Sequence, residues 1–179
     1  FTPKSMYDGS AGIGIFFIRL YEATGDTRWL TEAEEAAAHI IATKVGVEWY
    51  QTTLHSEVKG IIPVPGWAAG PYNGPVGEAY FLEDLYQVTG KQEYRDYVLY
   101  VADVLLEAAV TDERGLHWSD QEDITADGGF IVFLDILYRK TGIKKYLDTA
   151  CAAADRIAQD ALPAPHGGKF WKLLDPVSY

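Results

Sequence analysis

The sequence predicts an all-α protein made of three helical hairpins. Three observations predict it. One marked unit recurs three times; each copy sets an apolar segment before an alanine-rich amphipathic one; and a Thr-Gly pair divides the two segments in every copy.

The copies lie at residues 7–49, 72–118 and 126–171. The first two stand 65 residues apart throughout, Tyr7 matching Tyr72, Gly9 Gly74, Gly12 Gly77, Tyr21 Tyr86 and Gly25 Gly90. The third begins at Ala126-Asp127-Gly128-Gly129 and follows the second by 52 residues, with Tyr138 matching Tyr86 and Gly142 matching Gly90. Within each copy the first segment, such as Ile13-Gly14-Ile15-Phe16-Phe17-Ile18, is apolar nearly all round, which predicts an inner helix buried on most sides. Gly25, Gly90 and Gly142 are placed to end these helices in the left-handed conformation. The second segment carries apolar residues at helical spacing. Leu30, Ala33, Ala37, Ile40 and Ile41 share one face, with Glu32 and Glu35 opposite. That predicts an outer helix, half in solvent. An aromatic residue follows each Thr-Gly four positions on (Trp29, Tyr94, Tyr146). A Gly-x-x-Trp closes each copy at Gly46–Trp49, Gly115–Trp118 and Gly168–Trp171, read as a short strand or extended turn. The glycine pairs that open each copy, Gly9/Gly12, Gly74/Gly77 and Gly128/Gly129, admit two readings. They permit close helix packing or a turn with positive φ, or they open the inner-helix N-termini to an anion or a polarised carbonyl.

Inner helices wrapped by outer helices build an α/α toroid, whose closure takes about six hairpins. Three hairpins make a partial toroid, about half a ring, in a single domain spanning residues 1–179. Such a half-ring is expected to continue in a longer protein or to pair with another chain as a homo-oligomer. Segment Val47 to Gly66, an extended insertion rich in glycine and proline, is expected to form a small hairpin lip over the mouth of the toroid.

Composition narrows the function. A core fits within 179 residues that are 48% hydrophobic, so disorder is excluded. The net charge of −11 excludes a surface made to grip nucleic-acid backbone or anionic lipid. No apolar run reaches the roughly 18 residues of a membrane span. The expected location is the cytoplasm; the first residue is Phe1 rather than methionine, which leaves secretion open. The lone cysteine, Cys151, sits in the third outer helix and is expected to be a small buried packing residue; it excludes an internal disulfide or a cysteine-cluster zinc site. There is no nucleotide-type glycine loop and no Gly-x-Ser-x-Gly elbow.

The pattern Tyr7-Asp8-Gly9-Ser10-Ala11-Gly12-Ile13-Gly14, with Leu20-Tyr21 and Thr24-Gly25-Asp26 after it, resembles the lanthionine synthetase C-like family. Tyr72-Asn73-Gly74-Pro75-Val76-Gly77 and Gly115-Leu116-His117-Trp118 are similar to that family's later repeats. The resemblance implies an α/α toroid with a zinc ion that activates peptide cysteine thiols for thioether formation. A related superfamily with the same toroid, the six-hairpin glycosidase-like proteins, holds glycoside hydrolases and sugar epimerases. The family's zinc ligands are two cysteines and a histidine in the glycine-rich loops, where this chain has Asp8, Asn73 and Asp127. No metal ligand and no cofactor is therefore assigned to this chain, and zinc is expected only in a longer form.

Candidate chemistry sits where loops enter the inner helices. Asp8, Asp123 and Asp127 are the candidate catalytic carboxylates, because glycosidic cleavage needs one proton donor and one base or nucleophile. The competing reading makes Asp8 and Asp127 helix N-caps. Tyr7, Trp67, Tyr72, Asn73, Glu78, His117 and Trp118 are the candidate ligand contacts, the aromatic faces suited to stacking on sugar rings. His55 and His117 have weak metal spacings, and His39 is a surface or packing residue. The expected ligand is a peptide or a carbohydrate. A lanthionine synthetase C-like module, peptide-binding or part of a larger enzyme, is the leading reading, a carbohydrate-active toroid the alternative, and an interaction domain the third.

Overall fold

Each Thr-Gly pair ends an inner helix by the same local device. Gly25, Gly90 and Gly142 take φ of 69°, 68° and 71°, a region in which a side chain would clash with its own backbone. Each glycine N–H donates to the carbonyl four residues back, at Tyr21, Tyr86 and Tyr138. The preceding threonine adds a second clasp. Its hydroxyl donates to the carbonyl of Leu20, Leu85 or Leu137 and accepts the N–H of Asp26, Lys91 or Ile143. One hydroxyl thus serves both the closing helix and the next one's entry, which is why threonine precedes the glycine in all three copies.

The computed structural model describes residues 4–55, 69–119 and 124–171. Among these, the helices are α1 (Ser10–Thr24), α2 (Thr27–Ala42), α3 (Val47–His55), α4 (Pro75–Thr89), α5 (Gln92–Ala108), α6 (Ile124–Thr141) and α7 (Lys144–Gln159). Two short antiparallel hairpins complete the set: β1 (Val110–Asp112) with β2 (Gly115–His117), and β3 (Leu162–Pro163) with β4 (Lys169–Phe170). The expected inner–outer pairs are α1/α2, α4/α5 and α6/α7, so the fold is all-α and built of helical hairpins. The chain forms two compact units, Phe1–Gly46 with Pro71–Val104, and Val47–Gly70 with Leu105–Tyr179.

In the first unit, α1 packs on α2 and α4. Its glycines are there for close approach. A Cβ on Gly12 would lie 2.2 Å from the Met6 carbonyl oxygen, and one on Gly77 2.1 Å from that of Pro71. Both would strike backbone, which cannot swing aside. Gly128, in the third copy, has no atom within 4 Å of its Cβ position. Gly77→Ala is therefore expected to lower stability by about 1–3 kcal/mol or more, while Gly128→Ala is neutral or stabilising by about 0.5–1 kcal/mol through helix propensity. Urea unfolding of the two variants checks this pair; equal effects would show that neither glycine is held by packing.

Outer helix α2 buries Ala33, Ala37 and Ile40 and half-buries Leu30 and Ile41, while Glu32 and Glu35 stay exposed. In the second unit, α7 buries Tyr146, Ala150, Ala153 and Arg156, a stripe at helical spacing. β1 and β2 pair in register with Val110 opposite His117 and Asp112 opposite Gly115.

Four expectations are corrected. The first Gly-x-x-Trp is not extended: Val47–His55 is helical, because Tyr50 and Leu54, four apart, both turn inward, being 1% and 5% exposed. The expected lip therefore begins as a helix, and its remainder lies outside the described residues. The second and third Gly-x-x-Trp do contain strands, β2 and β4. Helix α1 is not buried on most sides, since Ile13 and Phe16 are 53% and 57% exposed. Cys151 is exposed rather than packed; it follows Ala150 by one residue, about 100° round the helix from the buried stripe.

Candidate functional site

In the first unit the loops before α1 and α4 meet. The Tyr7 N–H donates to the Tyr72 carbonyl at 3.0 Å, joining two residues that are equivalent in the repeat. Both side chains face solvent, 79% and 65% exposed, an unusual state for two large aromatic residues on adjacent turns. Asp8, next to Tyr7, is exposed as well. Its carboxylate accepts the Ser5 hydroxyl at 2.5 Å, and the Ser5 Oγ in turn accepts the Asp8 N–H at 3.0 Å. That closed pair fixes the Asp8 carboxylate one residue along the chain from Tyr7. It does not cap α1: the N-cap is Gly9, with no side-chain bond. Asn73 is half-buried in the same loop, ahead of Gly74 at the N-cap and Pro75 in the first turn of α4.

Glu78 lies in the first turn of α4. It is 1% exposed and accepts the Tyr97 hydroxyl, with the Lys4 Nζ 3.5 Å away. Lys4 also donates to the Thr43 carbonyl at 2.8 Å. Burial pushes the Glu78 carboxyl above its usual range, against the opposing pull of the Tyr97 hydroxyl, the Lys4 ammonium and His39. Glu78 is thus a buried member of a polar cluster that ties α4, α5 and the Lys4 segment together, rather than a surface contact.

In the second unit, Trp118 is fully buried. Its indole N–H donates to the Leu105 carbonyl at 2.7 Å, and its ring meets Phe130 edge-on at 5.4 Å. Trp171 repeats the bond, donating to the Ile157 carbonyl at 2.6 Å. In both copies the tryptophan of Gly-x-x-Trp pins the returning strand to the end of the outer helix, so the Trp118 ring has no face left for a ligand. Asp127, 8% exposed, accepts the N–H groups of Trp118 and Ser119 at 3.3 and 3.2 Å. It lies within the first turn of α6, past the N-cap position, and holds the chain leaving β2.

His117 is 5% exposed. Its Nδ1 lies 2.6 Å from Arg156 Nη1. Arg156 donates to Asp112 Oδ1 at 2.7 Å and to the Gly115 carbonyl at 3.1 Å, fastening α7 to both strands. The Asp112 carboxyl is held below its usual range: partial burial opposes ionisation, and the Arg114 N–H and the Arg156 guanidinium together outweigh it. Sequence reasoning missed Arg156, although a charge on the apolar stripe of α7 was a visible signal. Lys4 and Tyr97 carried none.

His39 is exposed on α2 and His55 ends α3. Trp67 and Asp123 lie outside the described residues. Among the described residues no group of three or more His, Cys, Asp or Glu is gathered to hold a metal ion, and no helix is long and apolar enough to cross a membrane.

These helical hairpins are those of an α/α-toroid fold. A solved structure described as glycoside hydrolase family 76 (mannosidase) Bt3792, from Bacteroides thetaiotaomicron VPI-5482, matches the chain with a TM-score of 0.54 at 18% identity, over 90% of this chain. The chain spans 47% of that structure's length. No protein-family model matches the chain, and no curated protein matches it.

Proposed function

We propose that this chain belongs to a carbohydrate-active α/α toroid and that its first unit contacts sugar through Tyr7, Tyr72 and Asp8. The observation that carries this reading is the pair of solvent-facing tyrosines, bonded backbone to backbone, with the Ser5-held carboxylate of Asp8 next to Tyr7 in the chain. Aromatic faces cover the apolar C–H face of a pyranose, and a carboxylate accepts from its hydroxyls. The likeness to a mannosidase supports sugar over peptide, and so does aspartate or asparagine where the lanthionine synthetase C-like pattern requires zinc-binding cysteine. Hydrolysis would need a second carboxylate facing Asp8; binding is what the first unit's own residues carry.

Titration with manno-oligosaccharides, read by intrinsic fluorescence and melting temperature, tests the proposal. Tyr7→Ala and Tyr72→Ala are each expected to weaken binding about tenfold, equal to ~1.4 kcal/mol. Folding stability should stay within about 0.5 kcal/mol, since both side chains are exposed. Asp8→Asn should weaken binding without changing the fold. If no oligosaccharide shifts the melting temperature while a cysteine-containing peptide does, the peptide-binding reading replaces this one.

A further inference from the structure

The three inner helices can be compared position by position, and α1 is the odd one. Phe16 is 57% exposed, while its repeat equivalents Phe81 and Phe133 are 0% and 2% exposed. Ile13 is 53% exposed where the third copy has Phe130, at 0%, and Leu20 is half-buried where Leu85 and Leu137 are 0% and 2% exposed. Residues 13, 16 and 20 form one stripe at helical spacing. The same stripe is closed in the later copies and open in the first.

The α1–α4 contact shows what closes it. The Phe81 ring enters the space left by Gly14, where a Cβ would stand 2.2 Å from the ring Cζ. Phe81 of α4 therefore needs a residue without a side chain on the preceding inner helix. Phe16 carries the same ring at the same repeat position on α1.

We propose that the Ile13–Phe16–Leu20 flank of α1 seats the inner helix of a further α/α hairpin, one that presents glycine or alanine to Phe16 as Gly14 is presented to Phe81. The repeat supplies the size rule, since Gly14 and Ala79 hold equivalent positions. The third copy has Ile131 there, so α6 of a second copy of this chain is a poor fit. The matched solved structure is about twice as long as this chain, which leaves room for such hairpins in a complete protein of this fold. The flank is separate from the tyrosine surface, so the inference stands without the sugar reading.

The test compares the chain with a version lengthened by a duplicate of residues 5–69 placed before Ser5, which keeps the 65-residue spacing. In the chain itself Phe16→Ala should barely move the urea midpoint, while Phe81→Ala lowers it clearly. In the lengthened protein Phe16→Ala should lower the midpoint as much as Phe81→Ala does, and Gly14→Leu in the duplicate should remove that added effect. An equally small Phe16→Ala effect in both proteins overturns the proposal. Should the lengthened protein fail to fold, dye binding decides. Phe16→Asp should remove at least half the fluorescence of bound 8-anilinonaphthalene-1-sulfonate from the chain at unchanged melting temperature, and unchanged dye binding overturns the proposal. Sedimentation showing a stable pair of chains that Phe16→Asp separates would make a second copy the occupant and overturn the hairpin.

Discussion

Trp118→Ala is expected to destabilise the second unit by about 3–5 kcal/mol, the range for emptying a large aromatic site in a core. Two losses combine. The edge-on contact with Phe130 goes, leaving a cavity that neighbouring helices close only in part. The Leu105 carbonyl loses its indole donor in a buried place, a cost on the order of 1–3 kcal/mol by itself. Trp118→Phe separates the terms, because phenylalanine keeps most of the ring and none of the N–H. It should cost well under Trp118→Ala. Trp171→Ala should cost less again, since that ring is only half-buried. Urea unfolding followed by near-ultraviolet circular dichroism gives the order. Equal losses for Trp118 and Trp171 would show that exposure does not set the cost, and a mild Trp118→Ala would return that ring to the pool of ligand contacts.

What the sequence disclosed and what it hid divide along a physical line. The hairpins and their Thr-Gly ends are local. A glycine with positive φ, a threonine clasping the last turn and an alanine stripe every three or four residues depend on neighbours a few positions away. Repetition in three copies made them legible. The Gly-x-x-Trp motif is longer in reach. Its tryptophan bonds a carbonyl 13 or 14 residues back, so the motif was visible while its purpose was not. The first copy also shows how far a motif misleads. Gly46–Trp49 has the same letters, yet Tyr50 and Leu54 wind it into a helix.

Polar residues were hardest to place, because burial is decided by segments distant in sequence. Glu78 and Asp127 each stand within the first turn of an inner helix, the first expected as a ligand contact and the second, like Asp8, as a catalytic carboxylate. In the structure Lys4 and Tyr97 enclose the first, and two backbone N–H groups from the strand exit occupy the second. Only Asp8 of the three stays at the surface, because its partner Ser5 is three residues away and shields just one side. The α1 flank misled for the opposite reason. Its composition is that of a buried helix, and the composition reports what the repeat normally packs against rather than what this chain supplies.

Lys4→Met should destabilise the first unit by about 3–5 kcal/mol near pH 8, the range for removing one partner of a buried ion pair. The pH dependence identifies the cause. The Glu78 carboxyl is raised in the folded state by burial, so the folded protein holds that proton more tightly than the unfolded chain does. Its favourable contribution is complete below the unfolded carboxyl value of 4.5 and is lost as pH rises through the folded value. Removing the Lys4 ammonium raises the carboxyl further and extends that loss upward. The Lys4→Met penalty should therefore shrink as pH falls from 8 towards 4.5, because the raised carboxyl takes up its proton and keeps its bond to Tyr97, whereas at higher pH a buried carboxylate has lost its cation. Glu78→Gln in the same variant should recover most of the pH 8 loss, and in the otherwise unchanged protein it should flatten the fall in stability above pH 4.5. Urea midpoints from pH 8 down towards pH 4.5 for the three variants decide the matter. A Lys4→Met loss that is the same across that range, and that Glu78→Gln leaves unrelieved, would mean that Lys4 matters for its bond to the Thr43 carbonyl and its packing, and that the buried carboxylate is no burden on the fold.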